Sequence, residues 1–206
     1  MQDPTLSSPP TLLKIIGIGH AGIATVERLA AIPELSEVEL TTLDMDQADL
    51  MRSRIPGRFC FGMSLTRGLG AGGDPSQGRS AAESDLACLR AMCAETRIVI
   101  LVAGLGGGAG TGAAPVIARQ AREAGALVLA VVTLPFDLEG SVRIQNAAAG
   151  LRELRTAADA VIVLPNARLA RLLDERTPMI EVFNAVGERF ADRSEEHTSE
   201  LQSRGL

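Results

Sequence analysis

The chain has 206 residues, 46% of them hydrophobic, with a formal net charge of −5 and 2% aromatics that include no Trp or Tyr. That length and apolar content suffice for one domain with a sizeable core. The acidic balance argues against a broad nucleic-acid surface, and the scarcity of aromatics argues against a base-stacking platform. No stretch reaches about 18 apolar residues, so neither a membrane span nor direct membrane insertion is expected. Cys60, Cys88 and Cys93 are odd in number and lack metal-like pairing, so they read as reduced core residues of a cytoplasmic protein.

Residues 1–11 begin with a polar, Pro/Ser-rich stretch that has no basic flank or apolar signal core, and read as a disordered tail. Leu12 to Ile18 then predicts a short apolar strand, and Ala21 to Ile32 a helix stopped by Pro33. Between them, Gly17-Ile-Gly19-His-Ala-Gly22 fits G-x-G-x-x-G. A second strand, Val38 to Leu43, ends on Asp44, at the spacing of a dinucleotide-binding fingerprint with an acid near the ribose. Residues 57–78 read as loop, centred on Arg67-Gly-Leu-Gly-Ala-Gly-Gly-Asp-Pro75, and Gly78 to Glu95 as one Ala-rich helix with Ala82, Leu86, Leu89 and Cys93 on one face.

Ile98 to Ala103 is apolar and β-branched, as for a strand buried on both faces. It runs into Gly104-Leu-Gly-Gly-Gly-Ala-Gly-Thr-Gly112, a loop with little side-chain bulk ahead of a helix predicted from Ala113 to Ala124. Backbone amides in such a loop approach a ligand closely, and with the helix dipole they favour an anion, most often a phosphate. Pro115 suits a first helical turn and Gly125 a C-terminal cap. Further strands are expected at Ala126 to Thr133 and Ala160 to Leu164. They flank a helix from Ser141 to Thr156 whose inward residues would be Ile144, Ala148, Leu151 and Leu154. Thr177-Pro178 opens a last helix with Met179, Phe183, Val186 and Phe190 along one side. The alternation implies an α/β fold: a three-layer, Rossmann-like parallel sheet with helices on both faces and ligands at the carboxyl ends of the strands.

Gly106-Gly-Gly-Ala-Gly-Thr-Gly112 resembles the G-G-G-T-G-T-G signature of the tubulin and FtsZ superfamily. The similarity extends from about Leu12 to about Asp192. Lys14 to Gly19 looks like the first strand and turn of FtsZ, and Gly68 to Gly72 like its γ-phosphate loop. Pro135-Phe-Asp-Leu-Glu-Gly140 with Arg143 resembles its ribose-side segment, and Leu164-Pro-Asn166 its strand end near the base.

The resemblance implies a domain at 12–192 that binds GTP or GDP, with Mg2+ carried by the nucleotide, and that contains the start of a central helix. Gly19, His20, Ala21, Gly22, Ile23 and Ala24 would form the first loop. Gly106, Gly107, Gly108, Ala109, Gly110, Thr111 and Gly112 would form the phosphate cradle, and Ala71, Gly72 and Gly73 would close over the γ-phosphate. Pro135, Glu139 and Arg143 would lie on the ribose side, Phe183 would stack on guanine, and Asn166 and Glu188 would read its edge.

The chain departs from the family pattern in several places. Ala109 removes a hydroxyl. His20 and Ile23 add bulk, Ala24 lacks an amide, Asp44 adds a charge where Asn is usual, and Glu188 and Gly187 alter the guanine edge. Losing two hydrogen bonds to charged ligand groups, at ~1.5–3 kcal/mol each, would weaken binding a hundredfold or more.

By resemblance the intact protein is cytoplasmic, forms head-to-tail homopolymers at the bacterial division site and hydrolyses GTP at subunit junctions. Membrane-anchoring division proteins would bind a C-terminal tail that this chain lacks. The catalytic carboxylates would come from a loop of the next subunit, also absent here, so no catalytic residue is assigned. Residues 193–206 break the pattern: Arg193-Ser-Glu-Glu-His-Thr-Ser-Glu-Leu-Gln-Ser203 reads as the in-frame translation of a sequencing adapter, which leaves His197 without a role. Two other functions compete, a non-hydrolysing filament scaffold or regulator and an NAD-dependent oxidoreductase.

Overall fold

A sheet of six parallel strands organises the molecule, and its two central strands are the most deeply buried. The computed structural model describes residues 11–165. The strands are β1 (Thr11–Ile18), β2 (Glu39–Asp44), β3 (Gly57–Cys60), β4 (Thr96–Gly104), β5 (Leu127–Leu134) and β6 (Ala160–Pro165). They lie in the order β3-β2-β1-β4-β5-β6, so the winding direction reverses between β1 and β4. The helices are α1 (Gly19–Leu29), α2 (Gln47–Arg52), α3 (Met63–Thr66), α4 (Pro75–Ser84), α5 (Leu86–Cys93), α6 (Gly108–Glu123) and α7 (Ser141–Ala157).

Strand alternation divides the core into two faces. Ile16, Ile18, Val99, Leu101, Ala103, Val128, Ala130 and Val132 share one cluster with Ala113, Ala114, Ile117, Ala118 and Ala121 of α6. The intervening residues Ile15, Ile100, Leu129 and Val131 are buried outside that cluster, and Gly17 on their side of β1 abuts Val26 of α1. Over Ile15–Ile18 of β1 and Ile98–Ala103 of β4 the central strands are therefore apolar at every position, because both faces are covered.

The three-layer α/β architecture agrees with the sequence reading, and several boundaries differ from it. The segment 57–78 holds β3, α3 and the start of α4 rather than loop alone. The single helix expected over 78–95 is two helices, broken at Asp85, whose carboxylate leaves the helix to accept the Gly62 N–H at 2.6 Å. α1 starts two residues earlier than expected and ends at Leu29, and Pro33 opens a separate 3-10 turn, Pro33–Leu35. α2 went unpredicted, although Asp46 is a strong N-cap that accepts the Ala48 and Asp49 amides.

α6 starts at Gly108, within the glycine loop, so Pro115 is an interior residue rather than a first-turn one. Gly150 of α7 packs against Thr111 there, so close that a Cβ would collide with the threonine methyl group. That contact rotates α7, whose buried face is Ala147, Gly150, Leu154 and Ala157 while Ile144 is 39% exposed. The cap at Gly125 is as expected: its N–H reaches Arg122 O and the Ala126 N–H reaches Ala121 O. Of the three free cysteines only Cys93 is a core residue; Cys60 is half-buried and Cys88 exposed. Burial pushes the Cys93 thiol up to about 11, which makes it unreactive.

Candidate functional site

All six strands run the same way, so the turns that follow them gather at one rim. Pairing of Gly17 with Val102 and Ile18 with Ala103 brings the ends of β1 and β4 side by side at the point where the sheet reverses. Ligands of open α/β sheets lie in the crevice this creates. Gly19 leaves β1 with φ +70, a left-handed conformation, and a Cβ there would sit 3.3 Å from the Gly110 nitrogen. The first turns of α1 and α6 are thereby pressed together. The N-cap residues Ile18 and Gly107 make no side-chain cap hydrogen bond to either helix. Two adjacent helix N-termini with uncapped first-turn amides form a concentrated anion-attracting surface.

Loops from the other strands close around this pair. Gly70 N–H donates to Met45 O at 3.2 Å and Gln47 N–H to Gly68 O at 3.0 Å, which ties the turn after β2 to the loop ahead of α4. Asp74 caps α4 by accepting from the Ser76 amide at 2.8 Å and the Ser76 hydroxyl at 2.9 Å. The Ser76 hydroxyl and amide hold the Asp74 carboxyl below its usual range. Ala71 and Asp74 then pack directly on Gly108, where any side chain would collide with them. On the other flank a Cβ on Gly106 would lie 3.3 Å from the Pro135 ring and 3.2 Å from the Arg143 carbonyl oxygen. Gly19, Ala71, Gly106, Gly108, Gly110, Pro135 and Arg143 thus come together at this rim.

Within this frame the glycines differ in what surrounds them. Gly72, Gly73 and Gly107 have open space where a side chain would go. Gly107 has φ −90, which any residue adopts, so the chain itself does not demand glycine there. Thr111 is 3% exposed, and its hydroxyl oxygen accepts the Gly106 N–H at 2.7 Å. It straps the loop to α6, whereas the sequence reading had the hydroxyl meeting ligand phosphates. Gly112 is also internal, packed against Pro75 and Arg79 of α4.

The remaining first-loop residues separate by burial. Gly22 packs on Val102 and Ile23 is 6% exposed, so the bulk of Ile23 goes into the core rather than beside a ligand as expected. His20, Ala21 and Ala24 are exposed. The His20 Nδ1 lies 3.1 Å from Asp49 Oδ2, and Arg52 donates to the other oxygen of Asp49 at 3.1 Å. Asp44 is 5% exposed and accepts the Met45 and Asp46 amides at 2.7 and 3.2 Å. Burial raises its pKa, the two amides partly offset this, and Asp49 and Asp46 push it further up.

On the flank that follows β5, Glu139 is committed at both oxygens. One accepts the Phe136 N–H at 2.8 Å and the other pairs with Arg143. The Phe136 amide first, then Arg143, hold its carboxyl below the usual range. Asn166, Phe183 and Glu188 lie outside the described residues. Sequence reasoning missed Asp46, Asp49 and Asp74 as rim residues. Asp74-Pro75 carried the cap-then-proline signal for α4, whereas the partnership of Asp49 with His20 has no local signature.

Comparison with known proteins agrees with this geometry. The model of the tubulin/FtsZ family GTPase domain matches residues 12–174. An empty FtsZ dimer from M. jannaschii is 36% identical, with a TM-score of 0.74 over 86% of this chain and 51% of its own. GDP-bound monomeric CetZ1 from Haloferax volcanii is 28% identical, with a TM-score of 0.70 over 75% of this chain and 51% of its own. CetZ2 from the same organism, a GTPγS-bound protofilament, is 30% identical with a TM-score of 0.67, over 76% of this chain and 49% of its own. The chain thus spans about half the length of the solved relatives it matches. It belongs to the tubulin/FtsZ family, of which it carries the GTPase domain.

Proposed function

We propose that the chain is the guanine-nucleotide-binding part of a polymerising bacterial cell-division protein. The observation that carries this reading is the convergence of the Ala71, Gly106–Gly110 and Pro135–Arg143 segments on the paired first turns of α1 and α6. Uncapped amides at Gly108, Ala109 and Gly110 would receive the phosphates, and the open positions Gly72 and Gly73 would receive the terminal phosphate. Glu139 and Arg143 would meet the ribose side, and Asn166, Phe183 and Glu188 the base.

Among the described residues no group of three or more His, Cys, Asp or Glu side chains forms a metal cage. The amide lining suits an anion, so Mg2+ would arrive on the nucleotide phosphates. In the intact protein GTP would be hydrolysed where one subunit's nucleotide meets the next subunit. The filament would act in the cytoplasm at the division site, with anchoring proteins holding it to the membrane. Exposed apolar side chains on this rim, Leu69 at 82%, Leu138 at 98% and Val142 at 68%, suit a face that a second copy covers.

Calorimetric titration tests the reading. GTP and GDP should bind with NAD inert, and NAD binding in preference to GTP would overturn it. The second reading, a filament scaffold that does not hydrolyse, draws on Ala109, which leaves Thr111 as the loop's one hydroxyl, and on the burial of that hydroxyl against the Gly106 N–H. GTP turnover that rises with protein concentration in the intact protein would exclude it.

A further inference from the structure

Thr111 reaches in two directions from the start of α6, and each of its γ atoms has a partner of its own. The hydroxyl oxygen accepts the Gly106 N–H at 2.7 Å, and the residue is 3% exposed. The methyl group meets α7: a Cβ built on Gly150 would lie 2.5 Å from Thr111 Cγ2. The next two atoms it would meet also belong to Thr111, the carbonyl oxygen at 3.2 Å and Cα at 3.6 Å. Thr111 thus stands between α7 and the glycine loop and touches both.

A threonine in a helix divides between two χ1 rotamers, which put its hydroxyl and methyl group in different places. With Gly150 packed on the methyl group, the hydroxyl is left facing Gly106. Gly150 is the single glycine of α7 and follows three alanines at 147–149. Alanine is the better helix former at such an interior position, so glycine there is explained by the close approach to Thr111. Buried Ala147 and Leu154 seat the same face of α7, and Glu153 beside them pairs with Arg79 of α4. At the other end of the relay Gly106 is where the loop turns, with φ +113, beside Pro135 and Arg143.

We propose that Thr111 is a positioning residue for the glycine loop and that Gly150 orients it, so that α7 sets nucleotide affinity without touching the ligand. This rests on the nucleotide-site reading above. The strap fixes the turn at Gly106 before a ligand arrives, so the cost of ordering the loop is met in folding rather than in binding. Losing either contact frees the turn and returns that cost to the binding step.

The test is isothermal titration with GDP, at a temperature where circular dichroism shows each variant folded, together with amide exchange at Gly106 in the nucleotide-free chain. The wild-type chain should bind GDP and protect the Gly106 amide. T111V keeps the shape and loses the acceptor, so it should lose that protection and bind GDP about tenfold more weakly. T111S keeps the hydroxyl and should stay within about threefold of wild type. G150A leaves every hydroxyl in place yet displaces Thr111, and should weaken binding and quicken Gly106 exchange as T111V does. In T111S/G150A the methyl group that the new Cβ would strike is gone, so this double variant should bind GDP more tightly than G150A. Where G150A fails to fold, the contrast between T111V and T111S decides. Wild-type affinity in T111V or in G150A, or a double variant no better than G150A, would overturn the proposal while leaving the nucleotide site intact. Failure of the wild-type chain to bind GDP would instead overturn the nucleotide-site reading, and this inference with it.

Discussion

The two walls of the crevice are built by different means. The wall proposed to receive phosphate is backbone packed on backbone: Gly108 against Ala71 and Asp74, Gly110 against Gly104, Gly112 against Pro75 and Arg79, and Gly19 against Gly110. The wall proposed for the ribose, from Pro135 to Arg143, is held by side chains, chiefly Glu139 bridging the Phe136 amide and Arg143, and it exposes Phe136, Leu138 and Val142 to solvent. A wall made of close-packed backbone has one arrangement, because any displacement opens a void or causes a clash. A wall made of surface hydrogen bonds can shift at little cost. The first suits an unvarying anion cradle, and the second suits a segment that adjusts when a ligand or a second copy covers it.

The largest expected effect tests the rigid wall. G112A would drive a methyl group into Pro75 O and the Arg79 nitrogen, so α4 and α6 must part. Urea unfolding should show a loss of about 1–3 kcal/mol or more, and a neutral result would refute the tight α4/α6 contact. G107A separates packing from ligand approach. No atom lies within 4 Å of the added methyl group, so stability should stay within about 0.5 kcal/mol of wild type. Nucleotide affinity should nevertheless fall at least about tenfold, a loss of about 1.4 kcal/mol, because the methyl group occupies the approach to the loop amides. Unchanged affinity would show that this edge of the loop faces away from the ligand.

D44N examines the acid at the end of β2. Burial raises the Asp44 pKa, so ionising it at neutral pH costs stability, and that cost disappears as the pH falls through the raised value. Asn keeps an oxygen for the Met45 and Asp46 amides. The variant should melt higher than wild type at neutral pH, and the two should converge in acid. A gain that persists in acid would assign the effect to something other than the charge.

The smallest effect belongs to the adjustable wall. The Glu139 carboxyl is depressed, so its contribution is present above the usual carboxylate range and is lost as pH falls through the folded value. Hydrogen exchange at Phe136 to Arg143 should quicken in acid, and E139Q should reproduce part of that at neutral pH with the melting temperature almost unchanged. Protection that is independent of pH would show the segment to be held by packing instead.

Five of the six strands were legible because buried parallel strands leave continuous apolar runs, as Ile98 to Ala103 does; β3, a four-residue edge strand that is only partly buried, leaves no such run and read as loop. The glycine loops were legible because backbone approach needs the absence of side chains, a property written in residue identity. Helix starts were less so. Nothing local distinguishes Gly108 as loop from Gly108 as helix, since only its burial against Ala71 and Asp74 holds it in the first turn. Likewise the inward face of α7 was misread because Gly150, not the larger Ile144, makes the close contact with Thr111.

By itself, then, the sequence determined the α/β class, the crevice at the strand ends and the glycine cradle, all consequences of periodicity and side-chain volume. Only the tertiary structure decided that the Thr111 hydroxyl faces inward, that Ile23 belongs to the core, and that His20 is held by Asp49 from a helix 29 residues away in sequence. Those are pairings between distant segments, and their energies depend on geometry that no local pattern encodes.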